Sequence, residues 1–108
     1  MSAAVAEVLR KARGYVERGW TQRSFARGPD GAVVSPVDAS ATCWCSIGAI
    51  MAASNYDMTV YVPASDALRA AIAGSNLPRW NDDLRRTLAD VLAAFDKAIA
   101  AAEREALS

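Results

Sequence analysis

Apolar residues recur at helical spacing near the start of the chain. From Val5 to Val16 they are three or four residues apart, with charged residues between them. This period is typical of a helix with one buried face and one solvated face. The pattern predicts a first helix over about residues 3–18, with Gly19 as a left-handed stop.

A longer stripe of the same period lies near the other end. Leucine, valine, phenylalanine, isoleucine and alanine alternate with charged residues from Leu84 to Ala102. The stripe predicts a helix over about residues 83–105. Asn81 or Asp82 can cap its first turn, because short side chains with a polar oxygen accept hydrogen bonds from free backbone N–H groups.

The segment 41–54 contains almost no charge and carries apolar residues on more than one side. Such a segment predicts a central, buried helix around which the others pack. Gly48 lies on it and permits close approach of a neighbouring element. We therefore expect a bulky residue at Gly48 to be severely destabilising through overpacking.

Shorter patterns connect these helices. The turn residues 28–31 lie between two extended runs and predict a β-hairpin over Thr21–Val34, and Pro36 then suits the first turn of a short helix. Residues 56–62 are β-branched and aromatic, which favours a strand or an ordered loop. Ser65 can cap a short helix that ends near Gly74, and residues 77–80 resemble a helix-breaking segment.

These elements predict a mainly α fold, a compact bundle of about four helices around a buried central helix with a small β-hairpin. A length of 108 residues is typical of a single domain, here 1–108. Twelve basic and twelve acidic residues cancel, which argues against general nucleic-acid binding and leaves a homodimer possible. No apolar run is long enough for a membrane span and no secretory pattern is present, so we expect a cytoplasmic protein.

Candidate chemistry is limited by the complete absence of histidine. This removes the commonest general base near neutral pH and most zinc and iron ligand sets. Cys43 and Cys45 lack a second ligand pair and the spacing of a redox dithiol, so we interpret them as free thiols. No catalytic residue, metal or cofactor is predicted. Most carboxylates fall at turns, caps or solvated faces, and helix capping also competes with a chemical role for Asp82.

Each of the three tryptophans lies beside a polar residue at a chain corner, and two of them adjoin amide side chains. Trp20 precedes Gln22 by two residues, and Trp80 precedes Asn81 and Asp82. If the corners converge, the rings could stack a flat ligand while the amides bind its edge. The competing interpretation is that each tryptophan packs in the core and donates its N–H to a backbone carbonyl.

Arg23 and Arg27 alternate with Phe25 in the first strand of the predicted hairpin, so the two arginines would share a face. Arginines on one face of a strand could hold a phosphate or carboxylate. Solvated charges on an edge strand are the ordinary explanation.

Several short motifs resemble those of a family of small uncharacterised proteins from bacteria and their phages. The resemblance covers about residues 15–101, with 55–78 the least matched, and includes the elements W-T-Q, W-C and W-N-D. It implies no activity, substrate or cofactor. It implies a shared site at the matching positions, which are Trp20, Thr21, Gln22, Arg27, Trp44, Cys45, Trp80, Asn81 and Asp82.

The leading hypothesis is a non-enzymatic binding or accessory module for a small polar ligand or a partner peptide. Its predicted ligand-binding residues are Trp20, Gln22, Arg27, Trp80, Asn81 and Asp82. A second hypothesis is a small enzyme that uses Asp82 or Cys45, with Arg27 as an anion holder. A third is a phage-derived inhibitor or scaffold that acts through a protein interface.

Overall fold

The computed structural model describes residues 2–107, and this part of the chain forms five helices and one two-stranded antiparallel sheet. The mainly helical fold with a small pair of strands is therefore confirmed. The elements in chain order are α1 (Ser2–Arg18), β1 (Ala26–Arg27), β2 (Cys43–Trp44), α2 (Ser46–Ser54), α3 (Met58–Ala71), α4 (Leu77–Asp82) and α5 (Leu88–Ala106).

The predicted first helix is confirmed as α1, and it packs against the last helix, α5. Leu9 and Val16 of α1 and Phe95 of α5 are completely buried in the hydrophobic core. At the surface, two ion pairs join the helices, Arg10 with Glu103 and Arg13 with Asp96, each at 2.7 Å. The apolar stripes thus meet as their period predicts, and the charged faces meet at the edge of the contact.

The last helix begins later than predicted. Thr87 caps α5 in a capping box, in which the Thr87 side chain accepts from the Asp90 N–H and the Asp90 carboxylate accepts from the Thr87 N–H. Leu84, assigned to the buried stripe, is 80 % exposed. The prediction that Asn81 or Asp82 caps this helix is therefore wrong, because a shorter helix ends there.

That shorter helix is α4, which corrects the predicted breaker segment at residues 77–80. The Asn76 side chain caps α4 by accepting a hydrogen bond from the Arg79 N–H at 3.0 Å. Pro78 lies in the first turn, where its missing N–H costs nothing. A proline that we interpreted as a stop therefore lies at the start of a helix.

The segment 56–62 is neither a strand nor a loop, because most of it belongs to α3. Asp57 caps this helix and accepts from the Thr59 N–H. Ser65, predicted to be a cap, lies inside the helix and is buried. The β-branched residues are overridden by the cap and by packing of α3 against α1 and α5.

The central helix is shorter than predicted, because Cys43 and Trp44 form β2 and only Ser46–Ser54 is helical. A Cβ atom at Gly48 would overlap the backbone carbonyl of Phe25. This contact gives the physical reason for expecting overpacking at that position, with neighbouring backbone rather than a neighbouring helix as the obstacle.

The predicted hairpin turn is present, but β1 pairs mainly with β2, in the register Ala26 opposite Trp44 and Arg27 opposite Cys43. Val33 adds a single bridge to Arg27 on the other side.

Residues 35–41 form two successive turns instead of a short helix. Gly19 does not adopt the left-handed conformation, and its lack of a side chain instead lets it approach the Thr42 carbonyl. Across residues 2–107, no helix is long and apolar enough to cross a membrane.

Candidate functional site

Four of the six predicted ligand-binding residues meet in one polar cluster centred on Asn81. We define the Asn81 cluster as Trp20, Gln22, Ser46, Asn81 and Asp82. Asn81 is only 1 % exposed. Its Oδ1 accepts hydrogen bonds from Trp20 Nε1 at 2.9 Å, from Ser46 N at 3.0 Å and from Ser46 Oγ at 2.6 Å. A fully buried amide oxygen is therefore saturated by protein donors.

The other half of the same amide is also used. Asn81 Nδ2 donates to the Thr21 carbonyl at 3.2 Å and to Asp82 Oδ1 at 3.0 Å. An asparagine side chain has two N–H donors, so both are occupied. The Asn81 side chain consequently joins the chain corner after α1, the start of α2 and the end of α4.

Gln22 completes the link between the two corners. Its Nε2 donates to the carbonyls of Asn81 and Asp83, both at 2.9 Å. The backbone N–H of Arg23 donates to Asp82 Oδ1 at 2.9 Å, and Arg23 has the left-handed φ of 68°. This conformation is uncommon for a residue with a side chain. It marks the point where the chain turns from the Asn81 cluster towards β1.

The other two predicted site residues lie elsewhere. Arg27 Nη1 donates to the Gly31 carbonyl at 3.0 Å and so supports the hairpin turn. Trp80 is half-buried and packs against the guanidinium of Arg86, 4.1 Å from the ring centroid. The third tryptophan, Trp44, is buried and donates to the Pro36 carbonyl.

A cleft of about 450 Å³ opens beside the Asn81 cluster. We call it the apolar cleft. Its outer wall includes Phe25, which is 49 % exposed, and Val33, which is 65 % exposed. Ile47 and Pro78 also line it, and Arg23, Ser24, Cys45, Asn81 and Asp82 supply its polar groups. Large apolar side chains that remain this exposed next to a concave surface are typical of a binding site.

Two polar groups of the apolar cleft have no protein partner among the described residues. Ser24 Oγ is buried and makes no hydrogen bond. The guanidinium of Arg23 forms no ion pair within the same part of the chain, although the Arg23 backbone is fixed by Asp82. The cleft therefore combines apolar walls with unused hydrogen-bonding capacity.

Cys45 lines the apolar cleft as the N-cap of α2. Its Sγ accepts a hydrogen bond from the Gly48 N–H at 3.2 Å. Burial raises the pKa of the Cys45 thiol above its ordinary value of 9.0, and the negative charge of Asp82 raises it further. The thiol is consequently protonated near neutral pH. Both cysteines are free, as predicted.

A second, smaller cavity of about 280 Å³ shares Ile47 and Pro78 with the apolar cleft. We call it the polar cavity. Its remaining lining comes from α3 and the start of α4, and includes Tyr61, Ser65 and Asn76. Ser65 is 7 % exposed, and its Oγ makes no hydrogen bond with any described residue.

Sequence reasoning identified Asn81 and Asp82 but missed the apolar walls of the cleft and the hydroxyl groups of both cavities. Phe25 and Val33 stand on either side of the predicted turn at residues 28–31, so the hairpin pattern could have placed them together. The sequence predicts Ser65 only as a helix cap. The described residues contain no group of three or more Cys, Asp and Glu side chains placed to hold a metal ion.

The chain matches the model of a known protein family. The model of a family of unknown function (DUF6197) matches residues 1–101, so the chain belongs to this family. No curated protein matches the chain. No solved structure matches it either.

Proposed function

We propose that this chain is a non-enzymatic binding module whose apolar cleft receives an apolar side chain of a partner peptide. The main support for this proposal is an open, mainly apolar cleft of about 450 Å³ in which Phe25 and Val33 remain exposed. Binding sites in proteins are commonly of this size and have apolar walls with a few polar groups. Covering Phe25 and Val33 with an apolar side chain would remove both from water.

The Asn81 cluster supports this proposal as the framework of the cleft. Gln22 Nε2 and both polar atoms of the Asn81 side chain already bond to the protein, so a ligand would have to displace those bonds. As a framework, the same bonds hold Asn81, Asp82 and the Arg23 backbone at the edge of the cleft before any partner arrives. A preformed site loses less entropy on binding, which favours affinity. We therefore assign Trp20, Gln22 and Asn81 a positioning role.

Binding is favoured over catalysis by the state of the reactive groups. A thiolate is the nucleophilic form of cysteine, and the raised pKa of Cys45 keeps the thiol protonated. Arg27, the proposed anion holder of an enzyme, bonds to the Gly31 carbonyl in the hairpin turn. An inhibitor or scaffold would use the apolar cleft as its protein interface, so that role is compatible with peptide binding.

Selection from a random-peptide display library on the immobilised protein tests the proposal. Enriched peptides are synthesised, and their affinities are measured by fluorescence anisotropy for the wild type, Val33→Asp and Leu84→Asp. We expect the peptides to share an apolar residue. Val33→Asp should weaken binding about tenfold or more, because it places a charge against a desolvated contact.

Leu84→Asp is the matched control. Leu84 is a similar apolar residue, is 80 % exposed and does not line the cleft. We expect it to change affinity by less than about twofold. The proposal is wrong if no peptide is enriched over an unrelated protein, or if the two substitutions weaken binding equally.

A further inference from the structure

The polar cavity contains hydrogen-bonding groups that the protein itself does not use. Ser65 Oγ has no partner, and among residues 2–107 no hydrogen bond is formed by the Tyr61 hydroxyl or by Asn76 Nδ2. Asn76 Oδ1 is occupied, since it caps α4. Two side chains of α3 and the N-cap residue of α4 thus present unused donors or acceptors to one cavity.

Ser65 is the most informative of these residues, because its hydroxyl is both buried and unpaired. Buried hydroxyl groups almost always find a partner, because an unpaired one loses its hydrogen bonds to water without replacement. Two other buried serines follow this rule: Ser46 Oγ donates to Asn81, and Ser54 Oγ donates to the Met51 carbonyl. The buried hydroxyl of Ser24, in the apolar cleft, is unpaired like that of Ser65. Alanine would also suit a buried helical position better than serine. The Ser65 hydroxyl is therefore the unpaired group that a polar ligand group in this cavity would satisfy.

The charge of the polar cavity indicates which polar group that is. Its lining contains one cation and one anion, Arg69 and Asp66, and these two residues form an ion pair with each other. A charged ligand group would have to compete with that pair. A neutral amide, which both donates and accepts hydrogen bonds, matches the free groups of Ser65, Tyr61 and Asn76.

The position of the cavity relates it to the apolar cleft, because Ile47 and Pro78 line both. In an extended peptide, side chains two residues apart point to the same side and are about 7 Å apart. We propose that the polar cavity is a subsite for a side-chain amide, asparagine or glutamine, two positions from the apolar residue that enters the cleft. This inference rests on the proposed peptide-binding function.

The test compares pairs of synthetic peptides that differ only at that position, with asparagine in one and alanine in the other. Peptides selected on the wild-type protein supply the rest of the sequence, and affinities are measured for the wild type, Ser65→Ala and Ser54→Ala. We expect the wild type to prefer the asparagine peptide about tenfold. Ser65→Ala should reduce this preference to about twofold or less while leaving the affinity for the alanine peptide unchanged.

Ser54→Ala is the matched control, since Ser54 is an equally buried helical serine outside both cavities. It should retain the preference for asparagine. Ser65→Ala removes no hydrogen bond, so the variant is expected to fold, and its circular dichroism spectrum verifies this. A wild type without preference, or a preference that survives Ser65→Ala, overturns the subsite.

The failure of this inference is distinguishable from failure of the proposed function. Peptides that need Val33 but are indifferent to Ser65 leave the cleft proposal intact and overturn only the subsite. The absence of any peptide that depends on Val33 overturns both.

Discussion

The Asn81 cluster and the two cavities beside it satisfy their polar groups in opposite ways. In the cluster, every polar atom of the Asn81 side chain is bonded within the protein. In the cavities, the buried hydroxyls of Ser24 and Ser65 have no partner in the described part of the chain. The first arrangement stabilises the fold, whereas the second leaves bonding capacity for another molecule.

One short segment contributes to both regions. Trp20 and Gln22 bond into the Asn81 cluster, whereas Ser24 and Phe25, only a few residues later, line the apolar cleft. The boundary is Arg23, whose backbone has the left-handed φ of 68°. The motif residues Trp20 and Gln22 thus fix the segment by hydrogen bonds, and the neighbouring Ser24 and Phe25 line the cleft.

The largest expected effect is from Asn81→Ala. The substitution leaves the Trp20 N–H and the Ser46 N–H and hydroxyl without their acceptor in a buried site. Each unpaired buried group costs about 1–3 kcal/mol, so we expect the free energy of unfolding to fall by about 4 kcal/mol or more. Urea denaturation followed by circular dichroism measures the change.

Asn76→Ala is the control for an asparagine that bonds only at a helix cap. It should cost about 1 kcal/mol, the usual value of an N-cap. If the two substitutions cost the same, the Asn81 cluster does not stabilise the fold as described.

The next largest effect is expected at Gly48, which lies against the backbone of Phe25. A Cβ atom at Gly48 would overlap the Phe25 carbonyl, and backbone cannot move aside as a side chain can. We expect Gly48→Ala to cost about 1–3 kcal/mol through overpacking. Gly14→Ala is the control: Gly14 is also helical but has open space around it, so alanine should stabilise by about 0.5–1 kcal/mol. Thermal denaturation of both variants should show shifts of opposite sign.

A pair of serine substitutions tests the comparison directly. Ser46→Ala removes the 2.6 Å hydrogen bond to Asn81 Oδ1, and we expect a loss of about 1–2 kcal/mol. Ser65→Ala removes no hydrogen bond, so stability should stay unchanged or rise by about 0.5 kcal/mol through helix propensity. Equal losses in urea denaturation would contradict the distinction between satisfied and unsatisfied hydroxyls.

The smallest effect is a pH dependence from Cys45. Its pKa in the folded state is raised above the ordinary 9.0 of an exposed thiol. The unfolded chain therefore releases this proton at lower pH than the folded chain does. The stability contributed by the protonated thiol is complete below pH 9.0 and declines as pH rises through the folded value.

Cys45→Ser isolates this contribution. Serine retains an N-cap acceptor for α2 but does not titrate in this range. The wild type should lose stability more steeply than the variant above pH 9.0 when unfolding is followed at several pH values. Parallel curves would mean that the thiol has the same pKa folded and unfolded.

The parts of the fold that could be predicted from the sequence are the strongly periodic ones. In the α1 stripe, Val5, Leu9, Ala12 and Val16 lie three or four residues apart, and all four are buried as expected. Residues 56–62 could not be predicted in the same way, because local propensity favours a strand there. The Asp57 cap and the burial of Ala64 and Leu68 decide for a helix instead. The start of α5 differs from the prediction for a similar reason. Several nearby residues can serve as an N-cap, and Thr87 rather than Asn81 or Asp82 does so.

By itself, the sequence determined where tryptophans adjoin amide or carboxylate side chains at chain corners. These residues are Trp20, Gln22, Asn81 and Asp82. Their convergence, and the separation of Arg27 and Trp80 from them, were decided by the tertiary structure. Hydrogen bonds between residues some 60 positions apart, such as Trp20 with Asn81, carry no local pattern. Whether a hydroxyl such as that of Ser24 or Ser65 is satisfied depends on what packs around it, so only the folded chain distinguishes a framework residue from one that is free to bind.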